Sequence, residues 1–168
     1  MSAVSGVAMT QTDVRDTFNL VRQQLPISEA ADGFVTAHQI GVAQLAIEYC
    51  NALVEEESAR VAKQFFVGMD FTLNANAISD GDWQSLVITP LVNRMVGDNI
   101  ATQPAAAAVS AELQGLLLSM ADNKPVGEPD GIPDGLARCN GACPSGQTLI
   151  ATKAACAATL GSATLLLQ

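Results

Sequence analysis

The sequence feature that most constrains the fold is a long apolar run in the first third of the chain. From Phe34 through Val54, this run carries an apolar residue on nearly every face of a helix. A helix that is apolar all round is typical of a central, buried position. Strand-like alternation is almost absent elsewhere, and no repeat period is visible. The run therefore predicts an all-α fold with this helix as its hub.

A second apolar segment closes the chain. Residues 148–167, TLIATKAACAATLGSATLLL, include one charged residue, Lys153. The length would allow a membrane span, but the many Ala, Thr, Ser and Gly residues favour lipid much less than a Leu-rich helix does. We therefore expect a buried core helix and no membrane insertion. Small residues between Ala154 and Ala163 allow a neighbour to come close, and the 34–54 helix is the expected neighbour.

Shorter helices are predicted before and between these two segments. The first has a cap at Thr10 or Thr12 and an apolar stripe formed by Val14, Phe18, Val21 and Leu25. Another short helix is expected over 59–66. Apolar residues recur at helical spacing from Trp83 to Met95, where Pro90 predicts a break or kink, with Thr89 as the cap of a restart.

A further helix is predicted after Pro104, with an apolar side that comprises Val109, Leu113, Leu116, Leu117 and Met120. Gly, Asn, Asp, Ser and Pro residues concentrate at 67–82 and 122–146, which predicts two long irregular loops. With 168 residues, 49% of them hydrophobic, the chain is long enough for one self-sufficient core. We expect a single domain over 1–168, a compact bundle of five to seven helices.

The charge balance excludes several classes of partner. Eight Lys and Arg residues against seventeen Asp and Glu leave a net charge of -9. Such an acidic surface repels nucleic-acid phosphates and anionic lipid. Only 15% of the residues are charged, against roughly 25% in an average domain. This low fraction suggests that part of the surface is covered by a protein partner or by copies of the same chain.

The four cysteines are Cys50, Cys139, Cys143 and Cys156. Cys139 and Cys143 are one residue too far apart for the redox Cys-x-x-Cys motif. A zinc site is a poor fit because the only imidazole, His38, lies about 18 Å along its helix from Cys50. Two disulfides are therefore expected. Three connectivities are possible, and we favour Cys139 with Cys143 and Cys50 with Cys156, which would place the protein in an oxidising compartment.

An acidic stretch over 128–134 resembles the calcium loops of thrombospondin type 3 repeats. Its candidate ligands are Glu128, Asp130 and Asp134, because alternating carboxylates can direct oxygens at a hard cation. The match covers half a repeat: Val126 and Ala137 stand where further ligands would be needed. A solvated acidic loop is the preferred interpretation, so we expect no cofactor, with calcium as the alternative.

His38 is the one side chain whose ordinary pKa suits acid–base chemistry near neutral pH. A single His on an apolar helix is more often a hydrogen-bonded core or boundary residue, so His38 as a ligand or catalytic group ranks last. The sequence contains no phosphate-binding glycine loop, metalloprotease helix or nucleophile elbow. We therefore expect no enzymatic activity.

The most specific sequence features are His38-Gln39, Tyr49-Cys50 and the closing helix with Cys156. Together with segments that cover most of the chain, they resemble an uncharacterised helical domain of large secreted proteobacterial proteins that bear laminin-G-like or cadherin-like modules. It implies a cell-surface or extracellular setting, with the periplasm as a variant, and a non-catalytic role. The first sixteen residues carry no secretion signal, so we expect either an excised domain or a free-standing relative.

Three functions are consistent with the sequence. The first is a non-catalytic, extracytoplasmic interaction or assembly module of a bacterial cell-surface protein. The second is a calcium-dependent adhesion domain that uses the acidic loop. The third is a ligand-binding or enzymatic domain with His38 in a pocket. Cysteine placement and the apolar excess favour the first.

Overall fold

The structure is a computed structural model that describes residues 1–24, 31–96, 104–120, 134–139 and 141–165. All the regular elements in these ranges are helical, so the predicted all-α bundle is confirmed. In chain order they are α1 (Ser2–Ser5), α2 (Thr12–Gln24), α3 (Ala31–Glu55), α4 (Glu57–Lys63), a 3-10 turn (Ala75–Ala77), α5 (Asp80–Asp82), a π-helical segment (Trp83–Ile88), α6 (Thr89–Met95), α7 (Ala106–Leu118) and α8 (Gln147–Leu165).

Helices α3 and α8 form the centre of the bundle and share the most extensive helix contact. Small residues make this contact close: a Cβ added to Gly161 would lie 3.6 Å from the Ala46 Cβ, which is ordinary van der Waals distance. Cys50 and Cys156 form a disulfide across the contact, with their Cα atoms 5.7 Å apart. The predicted pairing of the two most apolar segments is therefore present. Among the described residues, no helix has the length and apolarity needed to span a membrane.

The outer face of α3 departs from the prediction of a fully buried hub. Ile40 and Ile47 are 55% and 48% exposed, and they lie on one side of the helix because they are seven residues apart. Ala46, Cys50 and Leu53, on the adjoining side of α3, are inaccessible to solvent. The apolar run therefore forms both core and surface.

A widened helical turn carries much of the remaining core. Trp83 is inaccessible to solvent and its indole N–H donates to the Ala75 carbonyl over 3.4 Å. In the π-helical segment, the Thr89 N–H donates to the carbonyl of Gln84, five residues earlier. Pro90 has no N–H, and its ring needs space beside the preceding turn. The wider turn provides that space, and a regular α-helix resumes at Thr89 with Pro90 in its first turn. The predicted departure from regular helix and the restart are therefore present, but Thr89 is not the cap, because Ile88 holds the N-cap position.

Helix α2 also begins differently from the prediction. The Val14 N–H donates to the Gln11 side-chain oxygen over 3.1 Å, so Gln11 caps the helix in place of Thr10 or Thr12. Val14 and Val21 are buried, whereas Phe18 is 41% exposed. Leu25 lies outside the described residues. Two residues of the predicted apolar stripe, Val14 and Val21, therefore pack α2 into the protein.

The first predicted loop begins and ends three residues earlier than expected, and it is internally structured. Helix α4 ends at Lys63, and α5 already begins at Asp80 with Ser79 as its cap. Phe65 and Phe66 are buried beyond the end of α4, and the Arg60 guanidinium lies 5.1 Å from the centre of the Phe71 ring. The same guanidinium donates to the Val54 carbonyl. These contacts attach the irregular segment to the ends of α3 and α4.

Candidate interaction site

A pair of asparagines holds the second disulfide loop. Cys139 and Cys143 are bonded, with Cα atoms 5.2 Å apart. The Asn74 side chain donates to the Cys143 carbonyl over 3.1 Å and accepts from the Cys143 N–H over 3.3 Å. The Asn76 side chain donates to the carbonyls of Cys139 and Gly141, over 3.1 and 2.5 Å, and accepts from the Cys139 N–H over 3.2 Å. We call Asn74 and Asn76 the asparagine clasp.

The chain that leads into this loop caps α7. The N–H groups of Gly135, Leu136 and Ala137 donate to the carbonyls of Ser119, Leu116 and Leu117, all at 2.9 Å. These are carbonyl groups that the end of a helix leaves without an intrahelical partner. Arg138 extends the attachment: its Nη2 lies 2.8 Å from both carboxylate oxygens of Asp80, and its Nε–H donates to the Leu118 carbonyl. The C-terminal end of α7 is therefore held firmly.

An apolar cleft of about 520 Å³ lies between α7 and α8. Its volume falls within the range of ligand-binding and peptide-binding pockets. Its walls come from both helices, and we call it the α7–α8 cleft; it is lined principally by Val109, Leu113, Leu116, Ala158, Thr159 and Ser162. Leu113 is buried, whereas Leu116 is 37% exposed. Met120, which belongs with Leu116 to the predicted apolar side of this helix, is also exposed, at 48%.

The polar groups of this cleft are already satisfied, with one exception. The Thr159 hydroxyl donates to the Ala155 carbonyl over 2.8 Å, and the Ser162 hydroxyl donates to the Thr159 carbonyl over 2.9 Å. Because both hydroxyls donate within α8, an apolar ligand can cover them without leaving a donor unpaired. Among the described residues, Glu112 is the one charged residue that lines the cleft, and it is exposed. The cleft therefore offers an apolar floor with a negative charge on its wall.

Two other clefts have more polar linings. One, of about 780 Å³, lies between α4 and α6, where Arg94 donates to the Gln64 side chain over 2.8 Å. The other, of about 480 Å³, lies beside Asp80 and the bonded pair Gln84 and Gln114. An apolar partner in either of these clefts would cover polar side chains, so the α7–α8 cleft is the better candidate for such a partner.

In the described part of the chain, the side chains with shifted pKa values do not lie together in a cleft. Burial raises the pKa of Tyr49, and the Ser2 side chain partly opposes this change. The hydroxyl and amide of Thr72 lower the pKa of the exposed Asp70 carboxyl. Neither residue lines one of the three clefts. Both pKa changes accompany local structure, at a helix contact and in a turn.

Of the predicted metal-binding and ligand-binding residues, Asp134 and His38 lie in the described part of the chain. Glu128 and Asp130 lie outside the described residues, so the predicted calcium loop stays a prediction. Asp134 is half-buried at the start of the segment that caps α7. His38 is half-buried on α3 and lines none of the three clefts. Within the described ranges, no three His, Cys, Asp or Glu residues are placed to share a metal ion.

Sequence reasoning missed the asparagine clasp and Glu112. The alternation of polar residues at 70, 72, 74 and 76 is visible in the sequence, but it looks like ordinary loop composition. In the sequence, Glu112 looks like a solvated helix residue. Its place on the wall of the α7–α8 cleft is visible only in the structure.

The fold and the site define an all-helical bundle with two disulfides and an apolar cleft between its last two helices. No family model, curated protein or solved structure matches the chain. A functional assignment must therefore start from the chain's own geometry.

Proposed function

We propose that this chain is a non-catalytic interaction module that works outside the cytoplasm, and that its α7–α8 cleft binds an apolar, positively charged segment of a partner protein. The observation that carries this proposal is the cleft itself: it is apolar, large enough for several side chains, and free of unmet polar demands. Apolar anchors seated in such pockets supply most of the binding energy in protein interfaces.

Charge complementarity selects the partner. The carboxylate of Glu112 lines the cleft and the whole chain carries a net charge of -9. A basic partner is steered towards such a surface, whereas a second copy of the chain brings another -9 and is repelled. A basic segment of a different protein is therefore favoured over self-assembly.

The two disulfides support the proposed location. Such bonds persist in secreted and cell-surface proteins and are rare in the reducing cytosol. The resemblance described above points to the same setting, the exterior of a bacterial cell. Intact-mass measurement of protein taken from its source under non-reducing conditions tests this part; we expect two disulfides, and four free thiols would contradict it.

Binding is tested with a helical peptide made of leucine and lysine, compared with a leucine–glutamate peptide of the same length. We expect the basic peptide to bind and the acidic one not to bind, measured by fluorescence anisotropy at physiological salt. Ala108→Trp should abolish binding because exposed Ala108 lines the cleft. The matched control is Ala107→Trp, one residue earlier on α7, exposed and outside the cleft lining. Equal binding by these two variants would show that the peptide binds elsewhere.

A second pair of variants separates the cleft from general charge attraction. Glu112→Gln and Glu57→Gln remove the same charge, but only Glu112 lines the cleft. Glu112→Gln should weaken binding roughly two- to fivefold more than Glu57→Gln does, as expected for one solvent-exposed ion pair.

Sedimentation velocity tests the alternative of self-assembly. The chain should remain a monomer as its concentration rises, and a dimer would favour self-assembly.

A further inference from the structure

The two disulfides differ sharply in their access to solvent. Cys50 and Cys156 are both inaccessible and lie between α3 and α8. Cys143 is 7% exposed, and Cys139 is half-buried in a non-helical segment. Thiol–disulfide exchange requires a thiolate to reach a sulfur atom. A small reductant can therefore approach the Cys139–Cys143 bond in the folded protein, whereas it can reach Cys50–Cys156 only after α3 and α8 separate.

The two bonds also differ in what else holds the chain beside them. The asparagine clasp makes five hydrogen bonds to the backbone of residues 139–143, and none of them involves a sulfur atom. On the N-terminal side, residues 135–137 are bonded to the end of α7. On the C-terminal side, the Thr148 hydroxyl donates to the Leu73 carbonyl over 2.6 Å. Breaking the sulfur–sulfur bond therefore leaves both flanks of the loop attached.

We propose that Cys139–Cys143 is a reversible redox switch, which dithiol reductants open and disulfide oxidants close while Cys50–Cys156 stays intact. The asparagine clasp keeps the two released thiols close to each other. The switch changes the covalent constraint on one surface loop and leaves the helical bundle in place.

The chemistry requires a dithiol reductant in one direction and a disulfide oxidant in the other. A reductant thiolate attacks the more exposed Cys139 sulfur, forms a mixed disulfide and releases Cys143 as a thiolate, which takes up a proton. The second thiol of the reductant, as a thiolate, displaces Cys139, which is protonated in turn. The products are two cysteine thiols and the oxidised reductant, so two electrons pass to the protein. A disulfide oxidant such as glutathione disulfide reverses these steps.

The test is a graded reduction of the native protein with dithiothreitol, followed by acid quench, maleimide labelling, intact mass and peptide mapping. We expect a species with two labels, at Cys139 and Cys143, to accumulate before any species with four labels. Its far-ultraviolet circular dichroism should match that of the oxidised protein. Simultaneous appearance of four thiols, earlier labelling of Cys50 and Cys156, or loss of helicity in the two-label species would each overturn the proposal.

The clasp is tested by the rate at which glutathione disulfide closes the reduced loop. Asn76→Ala should slow closure roughly two- to tenfold, as expected for the loss of one or more hydrogen bonds. Asn76→Asp keeps the acceptor for the Cys139 N–H but loses both donors. Its closure rate should therefore lie between the rates of the unchanged protein and of Asn76→Ala. The control is Asn93→Ala, an exposed asparagine on α6 outside the clasp. Unchanged closure in both Asn76 variants would show that the clasp does not position the thiols.

Discussion

At the scale of single residues, the tightest constraint lies at Gly135. Its N–H bonds to the Ser119 carbonyl, and this contact brings its backbone directly against the end of α7. A Cβ built on Gly135 would lie 2.4 Å from the Leu117 carbonyl carbon and oxygen. Backbone atoms at a helix end have little freedom to move, so the position requires a residue without a side chain.

Gly135→Ala should therefore destabilise the protein by about 1–3 kcal/mol, as other overpacked substitutions do. The matched control is Gly115→Ala, because a Cβ there would meet no atom within 4 Å. Gly115 is an exposed interior residue of α7, so alanine should stabilise the helix by about 0.5–1 kcal/mol. Urea unfolding of both variants measures the two effects, and changes of the same sign would contradict this account of Gly135.

The difference between these two glycines shows where sequence reasoning ends. Both are visible in the sequence, and neither has local neighbours that distinguish it. Cys50 and Cys156 could be paired because each lies in a long apolar segment and such segments pack together. Gly135 and the asparagine clasp could not be predicted, because no pattern in their own segments marks the backbone groups that they meet 16 to 69 residues away. Such contacts follow from the three-dimensional arrangement alone.

At the scale of helices, the docking of α1 onto α3 can be observed through one side chain. Tyr49 is a buried α3 residue, and the Ser2 side chain that interacts with it belongs to α1. Burial raises the pKa of Tyr49 because the charged phenolate is poorly solvated there. The folded protein therefore holds this proton more tightly than the unfolded chain does.

The free energy of unfolding should fall as the pH rises above 10, the ordinary pKa of tyrosine. The sign follows because the contribution of Tyr49 is fully present below the unfolded pKa and is lost as the pH passes through the raised folded pKa. Tyr49 is the only tyrosine in the chain, so phenolate absorbance reports its titration directly. Tyr49→Phe should remove this part of the pH dependence; a folded-state midpoint at or below 10 would contradict the assignment.

The π-helical segment shows a second limit of prediction, at the same scale. Pro90 correctly marked a departure from a regular α-helix, and helical spacing from Trp83 to Met95 correctly predicted a helix. The sequence could not show how the helical spacing and the proline are reconciled, because a break and a widened turn both accommodate proline. Burial of Trp83, Val87 and Ile88 favours the widened turn, since a break would expose part of this core.

At the scale of the whole molecule, covalent constraint and charge act in opposite directions. In the chain-entropy model, Cys50–Cys156 contributes about 5 kcal/mol because it closes a long loop, and Cys139–Cys143 contributes about 2 kcal/mol because its loop is short. The net charge of -9 opposes this stabilisation, because like charges repel more strongly in the compact state. The ion pairs Lys153–Glu55 and Arg138–Asp80 each involve a largely exposed carboxylate and offset little of the repulsion.

The melting temperature should therefore rise when sodium chloride is increased from about 0.01 to 0.15 M, because salt screens the repulsion. Calcium chloride and magnesium chloride at matched ionic strength should act alike if only screening operates. A larger rise with calcium than with magnesium would instead support the calcium loop predicted at Glu128, Asp130 and Asp134. Differential scanning calorimetry distinguishes the two outcomes.

The packing of α3 against α8 has a consequence for how the chain acquires its structure. Ala46 and Cys50 meet partners more than a hundred residues later, in the helix that the ribosome makes last among the described elements. Until that helix emerges, the side of α3 that faces α8 lacks this cover, so the bundle cannot complete its folding before residues 147–165 are made. A translocation machine that accepts only unfolded substrates would therefore receive this chain in a transportable form.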